Sequence, residues 1–458
     1  MIFYGYEIDT PVSSLCISQD GHYNLANQIT YGDGIIFCSY MKIIGGYQQI
    51  FVKWSIDGGE TWSDPEQVTT TDYNKYSSSC AVDTAGTGLH LCYSANGYGP
   101  TSNQRAKKSI AYQFRSAAGV WTEPIVIHQA GYHSTPVYQY LQPTIAVDAD
   151  NKVHLACSYA WNYSTYFGTL AYWVCYIIIW PEGATSDKAY FVYGYIPTDA
   201  TQHLTERPTI HVDSYGNPHI TFSCRKPNSS YADNCHTTVW ACNNQQGAFA
   251  GWPGSPWLGL YWYGNIWDTA TSYLSITLCD KSKTDKGGAF PRADPSVYHS
   301  ISTCHAEGYY DDVNGYDYPH FVYNFDGTGA EETAGTYYKW RDSTGFHDEL
   351  VSLSDVANSD NSIALGPDGI IHTLVPSSVV DGCEYRQRAT PASAWSSAIA
   401  VSSIWHPQQL AHVHPTQFPL EAAPCSPFMA VELEGGVYKL KYYKCADVST
   451  ITGYGFFM

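Results

Sequence analysis

Charged side chains are scarce in this chain of 458 residues, and cations are scarcer than anions. Charged residues form 14% of the sequence, and 23 Lys and Arg stand against 42 Asp and Glu, so the formal net charge is −19. A surface of this sign repels the phosphates of nucleic acids and the headgroups of anionic membranes. We therefore expect no nucleic-acid partner.

A long apolar run is also missing. The most apolar stretch, from Tyr172 to Trp180, is about half as long as a membrane-spanning helix. The first residues, Met-Ile-Phe-Tyr-Gly-Tyr-Glu, lack the basic segment and the apolar segment of a secretory leader. We therefore expect no signal peptide, no membrane insertion, and synthesis in the cytoplasm.

No Cys-x-x-Cys pair occurs among the 14 cysteines. Several of them, such as Cys80, Cys92 and Cys157, lie inside apolar, strand-like runs. This pattern is typical of free, buried thiols in a protein made in a reducing compartment. We therefore expect neither a disulfide framework nor a zinc site with paired cysteines.

Aromatic residues and turn formers are abundant instead. The chain contains 40 Tyr, 14 Trp and 16 Phe, and its 38 Gly and 24 Pro are spread along the whole length. Short strands with aromatic cross-strand pairs fit this composition, and no window has the period of a long amphipathic helix. The composition predicts an all-β fold.

One hairpin unit recurs along the chain. An apolar strand, a turn with Asp, Gly or Asn, and a second strand that opens with His appear in Gln142–Cys157, Arg207–Phe222 and Asn361–Leu374. The repeating histidines are His90, His154, His219, His320 and His372. Because binding sites usually break a repeat, we interpret these histidines as architectural hydrogen-bonding groups between strands and not as metal ligands.

Seven such units tile the chain if two units without the histidine are included, near Ile35–Tyr40 and Phe428–Leu433. Their rough starts are residues 14, 78, 142, 207, 294, 361 and 424. The spacing predicts a seven-bladed β-propeller of four-stranded antiparallel blades, with six blades as the alternative. We expect one domain over residues 1–458, closed within one blade by Ile2–Tyr6 and Tyr454–Met458. Residues 251–290 form a long aromatic and polar insertion, either a functional loop or a packing flap.

An eight-residue motif, Ser-Ile-Asp-Gly-Gly-Glu-Thr-Trp, begins at Ser55. Ser55 and Asp57 are expected to accept hydrogen bonds from backbone N–H groups and so to hold a tight hairpin. Gly59 is expected to supply a positive φ, and Trp62 to begin the next strand and fill the gap between neighbouring sheets. With Thr61, these residues match S-x-D-x-G-x-T-W, a pattern that resembles the Asp-box of sialidase-like, BNR-repeat β-propellers.

The resemblance implies a ligand face, formed where the first strand of each blade begins and the second strand ends. Arg207 and Arg225 would lie on this face in one blade, beside Glu206, with Arg292 in the next blade. Guanidinium groups bind carboxylates and sulfates in a bidentate manner, so these arginines are predicted to bind an anionic ligand. Ion pairs with neighbouring carboxylates such as Glu206 and Asp294 are the alternative.

The same face would receive an aromatic segment from the third blade. Trp161, Tyr163 and Tyr166 follow its second strand, and exposed rings of this kind stack on sugars. Packing between blades is the alternative. Gln142 and Asn361, which precede first strands, would also face the ligand.

Three functions are compatible with the resemblance. A sialidase would need an arginine before its first Asp-box, and residues 1–54 contain none. Some propeller-type polysaccharide lyases have similar hairpins and use His and Tyr as acid and base, for which His133, His203 and Tyr140 are the candidates. A carbohydrate-binding propeller of a virion, such as the receptor-binding or adaptor protein of a phage tail, needs no catalytic set.

We favour the binding protein, with a glycan-degrading lyase or sialidase-like hydrolase as the alternative. Its expected partners are a cell-surface or acidic glycan and other structural proteins of the particle. Made in the cytoplasm, it would reach the extracellular space as part of that particle.

Residues 311–317 contain oxygen ligands at near-alternate positions. Asp312, Asn314 and Asp317 surround a glycine loosely as in calcium loops, but no bidentate Glu follows at the expected distance. Calcium is the candidate ion at this turn, and a solvated turn is the alternative. No other cofactor is expected.

Overall fold

The computed structural model describes residues 2–13, 16, 28–99, 101–128, 131–132, 137–162, 170–179, 190–194, 205–212, 218–227, 234–243, 273–277, 301–311, 316–325, 335–342, 345–353, 361–365, 370–377, 382–402, 404–410 and 428–446. Strands joined by turns dominate this part of the chain, because β-branched and aromatic runs alternate with Gly, Asn and Asp. No helix in it is long and apolar enough to cross a membrane.

The elements of the first half are β1 (Ile2–Asp9), β2 (Ile29–Gly32), β3 (Ile35–Ile44), β4 (Tyr47–Ser55), β5 (Glu66–Gln67), β6 (Lys75–Val82), β7 (Leu89–Ala95), α1 (Ser102–Arg105), β8 (Ser109–Arg115), β9 (Ile125–His128), β10 (Gly131–Tyr132), β11 (Val137–Val147), β12 (Val153–Asn162), β13 (Leu170–Ile179) and β14 (Tyr190–Gly194). Those of the second half are β15 (Thr205–Val212), β16 (Pro218–Pro227), β17 (Asn234–Asn243), β18 (Tyr273–Thr277), β19 (Ile301–Asp311), β20 (Tyr316–Phe325), β21 (Gly335–Asp342), β22 (Gly345–Ser352), β23 (Ser362–Leu365), β24 (Ile371–Pro376), β25 (Gly382–Arg388), β26 (Ile399–Ser402), β27 (Ile404–Leu410), β28 (Phe428–Glu434) and β29 (Val437–Ala446).

Within the described residues, these strands form seven antiparallel sheets. We number them in chain order: sheet 1 holds β2–β5, sheet 2 β6–β9, sheet 3 β10–β14, sheet 4 β15–β18, sheet 5 β19–β22, sheet 6 β23–β26, and sheet 7 β27–β29 with β1. Sheet 3 has a fifth strand because the two-residue β10 pairs with the start of β11. The prediction of four-stranded sheets is therefore confirmed for six sheets and wrong for sheet 3.

Each sheet packs on the next sheet in chain order. Buried apolar side chains form shared clusters between sheets 1 and 2, 2 and 3, 5 and 6, and 6 and 7, and the first strands of sheets 3, 4 and 5 lie against one another. Sheet 7 packs on sheet 1 through Met429, Leu440 and Tyr442 against Ile36 and Tyr40. This cyclic succession of antiparallel sheets is a β-propeller.

Sheet 7 combines strands from both ends of the described chain. β1 pairs with β29, from Ile2 opposite Ala446 to Tyr6 opposite Tyr442. Residues 2–6 therefore join the last sheet as expected, but their partner is β29. The expected partner, Tyr454–Met458, lies outside the described residues.

Two predicted unit starts are wrong. The first strand of sheet 1 begins at Ile29 and not near residue 14, and the first strand of sheet 7 begins at Ile404 and not near residue 424. These two units lack the histidine hairpin that marks the others. In the last unit, the apolar run at Phe428 is the second strand of its sheet.

Four of the five repeating histidines join the second and third strands of their sheets. In each, Nδ1 shares a hydrogen bond with a buried tyrosine hydroxyl that stands two residues from the direct partner of the histidine. The pairs are His90–Tyr112 at 2.8 Å, His154–Tyr176 at 2.6 Å, His320–Tyr338 at 2.6 Å and His372–Tyr385 at 2.5 Å. The architectural role is confirmed for these four, and the side chain of His219 is outside the described part.

The pairing of His90 predicts a loss of stability in acid. Burial lowers the pKa of His90 to about 4, although a hydrogen bond to Asn151 and the charge of Asp83 oppose the shift. In the unfolded chain, His90 binds a proton near pH 6.5. The contribution of neutral His90 to the free energy of unfolding is therefore fully present above about pH 6.5 and falls by ~3 kcal/mol as the pH drops towards 4. Urea unfolding of the wild type and of His90→Asn, each at several pH values, measures the difference. Parallel pH profiles for the two proteins would contradict this assignment.

The turn after β4 is held by its own side chains. Ser55 Oγ donates to Asp57 Oδ1 (2.7 Å) and accepts from the Gly59 N–H (2.8 Å). Asp57 accepts from the hydroxyl (2.5 Å) and the N–H (2.9 Å) of Thr61, and these bonds hold the pKa of its carboxyl well below the usual range. The turn is therefore closed locally.

Trp62 attaches this turn to sheet 7. Its ring meets the ring of Tyr442 edge-on with centroids 5.6 Å apart, and its Nε1 donates to Gly59 O (3.2 Å). Trp62 thus fills the gap between sheets 1 and 7. It does not begin a strand, since β5 starts four residues later at Glu66.

In sheet 2, an arginine occupies the place that Ser55 has in sheet 1, at the end of the third strand. The guanidinium of Arg115 lies 4.3 Å from the ring centroid of Trp54, and its Nε pairs with Glu66 at 2.9 Å. Both partners belong to sheet 1. Arg388 ends the third strand of sheet 6 and packs on sheet 5 in the same way.

Among the cysteines whose side chains the structure describes, seven are free and buried: Cys16, Cys38, Cys80, Cys92, Cys157, Cys175 and Cys383. Burial raises the pKa of the Cys80 thiol to about 12. Cys157 and Cys175 are direct partners on neighbouring strands and remain thiols. The prediction of free, buried thiols is confirmed for these seven.

Candidate functional site

In sheet 2, the start of the first strand and the end of the second strand form one end of the sheet. Lys75 begins β6, and its direct partner Ala95 ends β7. Helix α1 and the residues before β8 lie at this end as well, because they connect the second strand to the third. We define the sheet 2 rim as Lys75, Tyr76, Asn96, Tyr98, Lys107 and Lys108.

Cations are concentrated at the sheet 2 rim. Residues 75–108 contain Lys75, Arg105, Lys107 and Lys108 and one acidic residue, Asp83. Asp83 lies in the turn between β6 and β7, at the opposite end of the sheet. Asp72 adds one carboxylate in the loop before β6, so four cations stand against one anion at this end of a chain whose net charge is −19.

The side chain of Lys75 is buried, with 1% of the residue exposed. Its Nζ donates to Thr71 Oγ1 (2.6 Å), Tyr73 O (3.1 Å) and Asn96 O (3.4 Å). Burial lowers the pKa of Lys75 to about 8. The three neutral acceptors match the three donors of an ammonium group.

Tyr76 presents an aromatic ring beside a cation. Lys108 Nζ lies 4.0 Å from the ring centroid of Tyr76, and Asn96 Nδ2 donates to the Tyr76 hydroxyl (3.1 Å). Tyr76, Tyr98, Lys107 and Lys108 are all half-buried, so each retains a surface towards solvent. Half-exposed rings and amines in this arrangement suit the ring face and the acidic group of a sugar.

Tyr140, a predicted catalytic residue, lies next to this rim. Its N–H donates to Lys108 O (2.9 Å), and its half-buried ring lies against Tyr159 with centroids 4.9 Å apart. The other catalytic candidates, His133 and His203, lie outside the described residues. Tyr140 is thus the member of the predicted acid–base set that the structure locates.

Backbone register locates two of the predicted arginines at the corresponding end of sheet 4. Glu206 in β15 is opposite Ser223 in β16, and a bulge that includes Arg207 follows it. Arg225 lies two residues further along β16, opposite His236. The start of the first strand and the end of the second strand therefore bring Arg207 and Arg225 to one end of this sheet, and Arg292 lies outside the described residues.

Most of the predicted aromatic segment is not described. Trp161 lies near the end of β12, opposite Tyr138 of β11. Tyr163 and Tyr166 lie outside the described residues, as does the insertion at 251–290 apart from β18. The end of β12 is nevertheless the end of sheet 3 that corresponds to the sheet 2 rim.

The predicted calcium turn is largely outside the described part as well. Asp317 lies in β20 opposite Tyr310, while Asp312 and Asn314 are not described. Among the residues that are described, no group of three His, Cys, Asp or Glu side chains could hold a metal ion.

Two positions expected on the ligand face are buried instead. Gln142 lies inside β11 at a bulge, with a φ of 52°, and its Oε1 accepts a hydrogen bond from Ser158 Oγ (2.9 Å). Asn361, which precedes β23, is buried too. The strand begins before Gln142, so the repeat pattern marks the bulge and not the start of the strand.

The sheet 2 rim was not predicted from the sequence. Its three lysines and the neighbouring Arg105 are spread over 34 positions, from 75 to 108, and meet through the ends of three strands. A usable signal does exist, namely the Arg-Ala-Lys-Lys run that starts at Arg105 in a segment almost free of carboxylates.

No protein-family model and no curated sequence matches the chain. Among solved structures, the polysaccharide lyase Uly1 is similar with a TM-score of 0.56 and 11% identity, over 97% of this chain and 99% of that chain. The GH93 α-L-arabinofuranosidase of Fusarium graminearum matches with a TM-score of 0.47 and 11% identity, over 81% and 92% of the two chains. The Hadza microbial sialidase Hz136 matches with a TM-score of 0.41 and 12% identity, over 78% of this chain.

These similarities concern the fold. The chain spans 64% of the length of the sialidase Hz136. The structural neighbours include sialidases, an arabinofuranosidase and a polysaccharide lyase. The likeness to Uly1 over nearly the whole of both chains shows that the chain has a β-propeller fold.

Proposed function

We propose that this protein is a carbohydrate-binding β-propeller in which the seven sheets are seven blades of one ring. The cyclic packing of sheets 1 to 7 and the pairing of β1 with β29 support this arrangement. A single domain over residues 1–458 follows from it. The ligand face is the end of the blades where first strands begin.

The observation that carries the proposal is the composition of the sheet 2 rim. Half-buried tyrosines stand beside amines in a protein that is otherwise strongly acidic. Aromatic rings stack on the apolar faces of sugars, and amines attract carboxylates and sulfates. We therefore propose an acidic glycan as the ligand.

The predicted residues of sheets 3 and 4 extend this face. Arg207 and Arg225 lie at the corresponding end of sheet 4, and Trp161 lies at that of sheet 3. Arg292, Tyr163 and Tyr166 complete the proposed ligand set, with Arg residues for acidic groups and aromatic residues for stacking. The proposed ligand is a chain of sugars that lies across several blades.

We extend the proposal to a biological role as the receptor-binding or adaptor propeller of a virion, such as a phage tail. Its partners are then a cell-surface glycan and other structural proteins of the particle. The lack of arginine in residues 1–54 favours binding over sialidase chemistry, since the resemblance implies an arginine before the first Asp-box.

A polysaccharide lyase is the second candidate function. The likeness to Uly1 in fold favours it, and so does the backbone hydrogen bond that joins Tyr140 to Lys108 of the sheet 2 rim. In such an enzyme, Tyr140 with His133 or His203 would serve as base and acid, while cations neutralise the uronate carboxylate. A lyase forms an unsaturated uronate that absorbs ultraviolet light, whereas a binding protein retains the glycan unchanged. Incubation with polygalacturonate, followed by absorbance and by size analysis of the polymer, separates the two.

Removal of one proposed ligand residue should weaken binding without unfolding the protein. We expect Arg207→Ala and Lys107→Ala each to lower the affinity for polygalacturonate about tenfold, because each loses a charge-assisted hydrogen bond to a carboxylate. Calorimetry measures the affinity, and a thermal melt checks the fold.

The matched control is Lys152→Ala, which removes a lysine from the opposite end of sheet 3, where it pairs with Asp150. Its affinity should equal that of the wild type. Unchanged affinity in both Arg207→Ala and Lys107→Ala would reject the proposed anion site.

A further inference from the structure

Two loops meet at the sheet 2 rim, and one buried ammonium group joins them. Lys75 Nζ donates to Thr71 Oγ1 and Tyr73 O in the loop before β6, and to Asn96 O in the loop after β7. Its position between the loops is fixed by the strand pairing of Lys75 with Ala95. The stem of the side chain is fully enclosed.

The other contacts between these loops are backbone and packing contacts. The Asn96 N–H donates to Asn74 O (3.0 Å). Gly97 has a φ of +101° and supports the ring of Tyr73 so closely that a Cβ at this position would lie 2.7 Å from it. The positions of Tyr98, a member of the rim, and of Tyr73, which borders it, therefore depend on how the two loops are joined.

We propose that Lys75 is a positioning residue, whose ammonium group holds the loops 71–74 and 96–99 together and thereby fixes Tyr73 and Tyr98 at the rim. Its role as a determinant of glycan affinity rests on the proposed function, but its structural role does not. Three acceptors surround Nζ, and an ammonium group has three N–H donors. A neutral amine has two, so deprotonation removes one of the three hydrogen bonds that join Lys75 to the loops.

The titration of Lys75 must be compared with that of the titratable groups around it. Lys75 Nζ lies 5.8 Å from the ring centroid of Tyr98, whose hydroxyl shares a hydrogen bond with that of Tyr93 (3.1 Å), and burial raises the pKa of both phenols. Asp72 and Tyr73 are exposed members of the loop before β6. Burial lowers the pKa of Lys75, so the amine loses its proton first among these buried groups as the pH rises.

Hydrogen exchange of the two loops tests the structural role directly. In Lys75→Met, the amides of 71–74 and 96–99 should exchange about tenfold faster than in the wild type, while those of β12 keep their rates. The wild type should show the same selective loosening between about pH 7 and pH 9.5, after correction for the intrinsic rate, because Lys75 is then neutral. Lys152 is a half-buried lysine at the opposite end of sheet 3. Lys152→Met is therefore the matched control and should leave the exchange rates of both loops unchanged.

Affinity for polygalacturonate is the second readout and should fall about tenfold in Lys75→Met, with little change in the melting temperature. Unchanged exchange in both loops, or equal loosening of β12, would overturn the positioning role. If Lys75→Met does not fold, the comparison of the wild type at the two pH values decides. If the loops respond but the wild type binds no acidic glycan, the proposed function fails and the positioning role stands.

Discussion

Replacement of Arg388 by alanine should lower the free energy of unfolding by ~4 kcal/mol. The side chain of Arg388 is 1% exposed, and its guanidinium carbon lies 4.6 Å from the ring centroid of Trp395 and 5.0 Å from that of Tyr338. It also pairs with Glu349 and donates to the carbonyl of Thr390. Alanine would leave a cavity between sheets 5 and 6 and would remove both the cation–π contacts with these rings and the ion pair with Glu349. Urea unfolding followed by tryptophan fluorescence measures the loss.

Arg115→Ala is the matched comparison, because Arg115 makes the same kind of contact with the preceding sheet as Arg388 but touches fewer rings. Arg115 lies over one ring, that of Trp54, and its side chain is 10% exposed. We expect a loss of ~2 kcal/mol, about half of that for Arg388. If Arg388→Ala lowers the free energy of unfolding by less than ~0.5 kcal/mol, the arginines do not stabilise the contacts between these sheets. The same conclusion follows if Arg115→Ala lowers it by more than Arg388→Ala does.

Gly59→Ala should be nearly as severe, with a loss of ~4 kcal/mol. The φ of Gly59 is +88°, which a residue with a Cβ adopts at a cost of about 1–2 kcal/mol. The added Cβ would also lie 2.2 Å from Cε1 of Tyr442. The ring of Tyr442 is buried in the cluster between sheets 7 and 1 and touches Trp62, so it has no free space into which to move. Thermal and urea unfolding measure the effect.

Gly45→Ala separates the two causes. Gly45 has a φ of +60°, but no atom lies within 4 Å of an added Cβ. Gly45→Ala should therefore lower the free energy of unfolding only by the cost of the positive φ, about 1 kcal/mol. Equal losses at Gly45 and Gly59 would mean that the contact with Tyr442 contributes nothing.

The parts of the fold that repeat in the sequence could be predicted, because local signals set them. The Asp, Gly and His of each hairpin mark where strands turn, and the motif at Ser55 specifies a turn closed by its own side chains. The tyrosine partners of His90, His154, His320 and His372 were not predicted, since they lie on the third strand and depend on register. The contacts of Arg115 with Trp54, and of Arg388 with Tyr338 and Trp340, were not predicted because these rings belong to the preceding sheet.

The candidate site was less predictable for a related reason. Lys75 and Lys108 are 33 positions apart, and neither belongs to a motif. Strand pairing alone brings them to one rim. Gln142 is a different case, because the sequence predicted a site position that the structure does not confirm. Its place in the repeat predicted exposure on the ligand face, whereas a bulge inside β11 turns it towards Ser158.

The pairing of β1 with β29 has a consequence for synthesis. β1 is translated before the other described strands, and its partner is translated after all of them. Until then, the nascent chain exposes an aromatic strand with unsatisfied backbone groups, which favours association with other chains. The yield of soluble protein should therefore depend on how well chaperones protect this strand while translation continues.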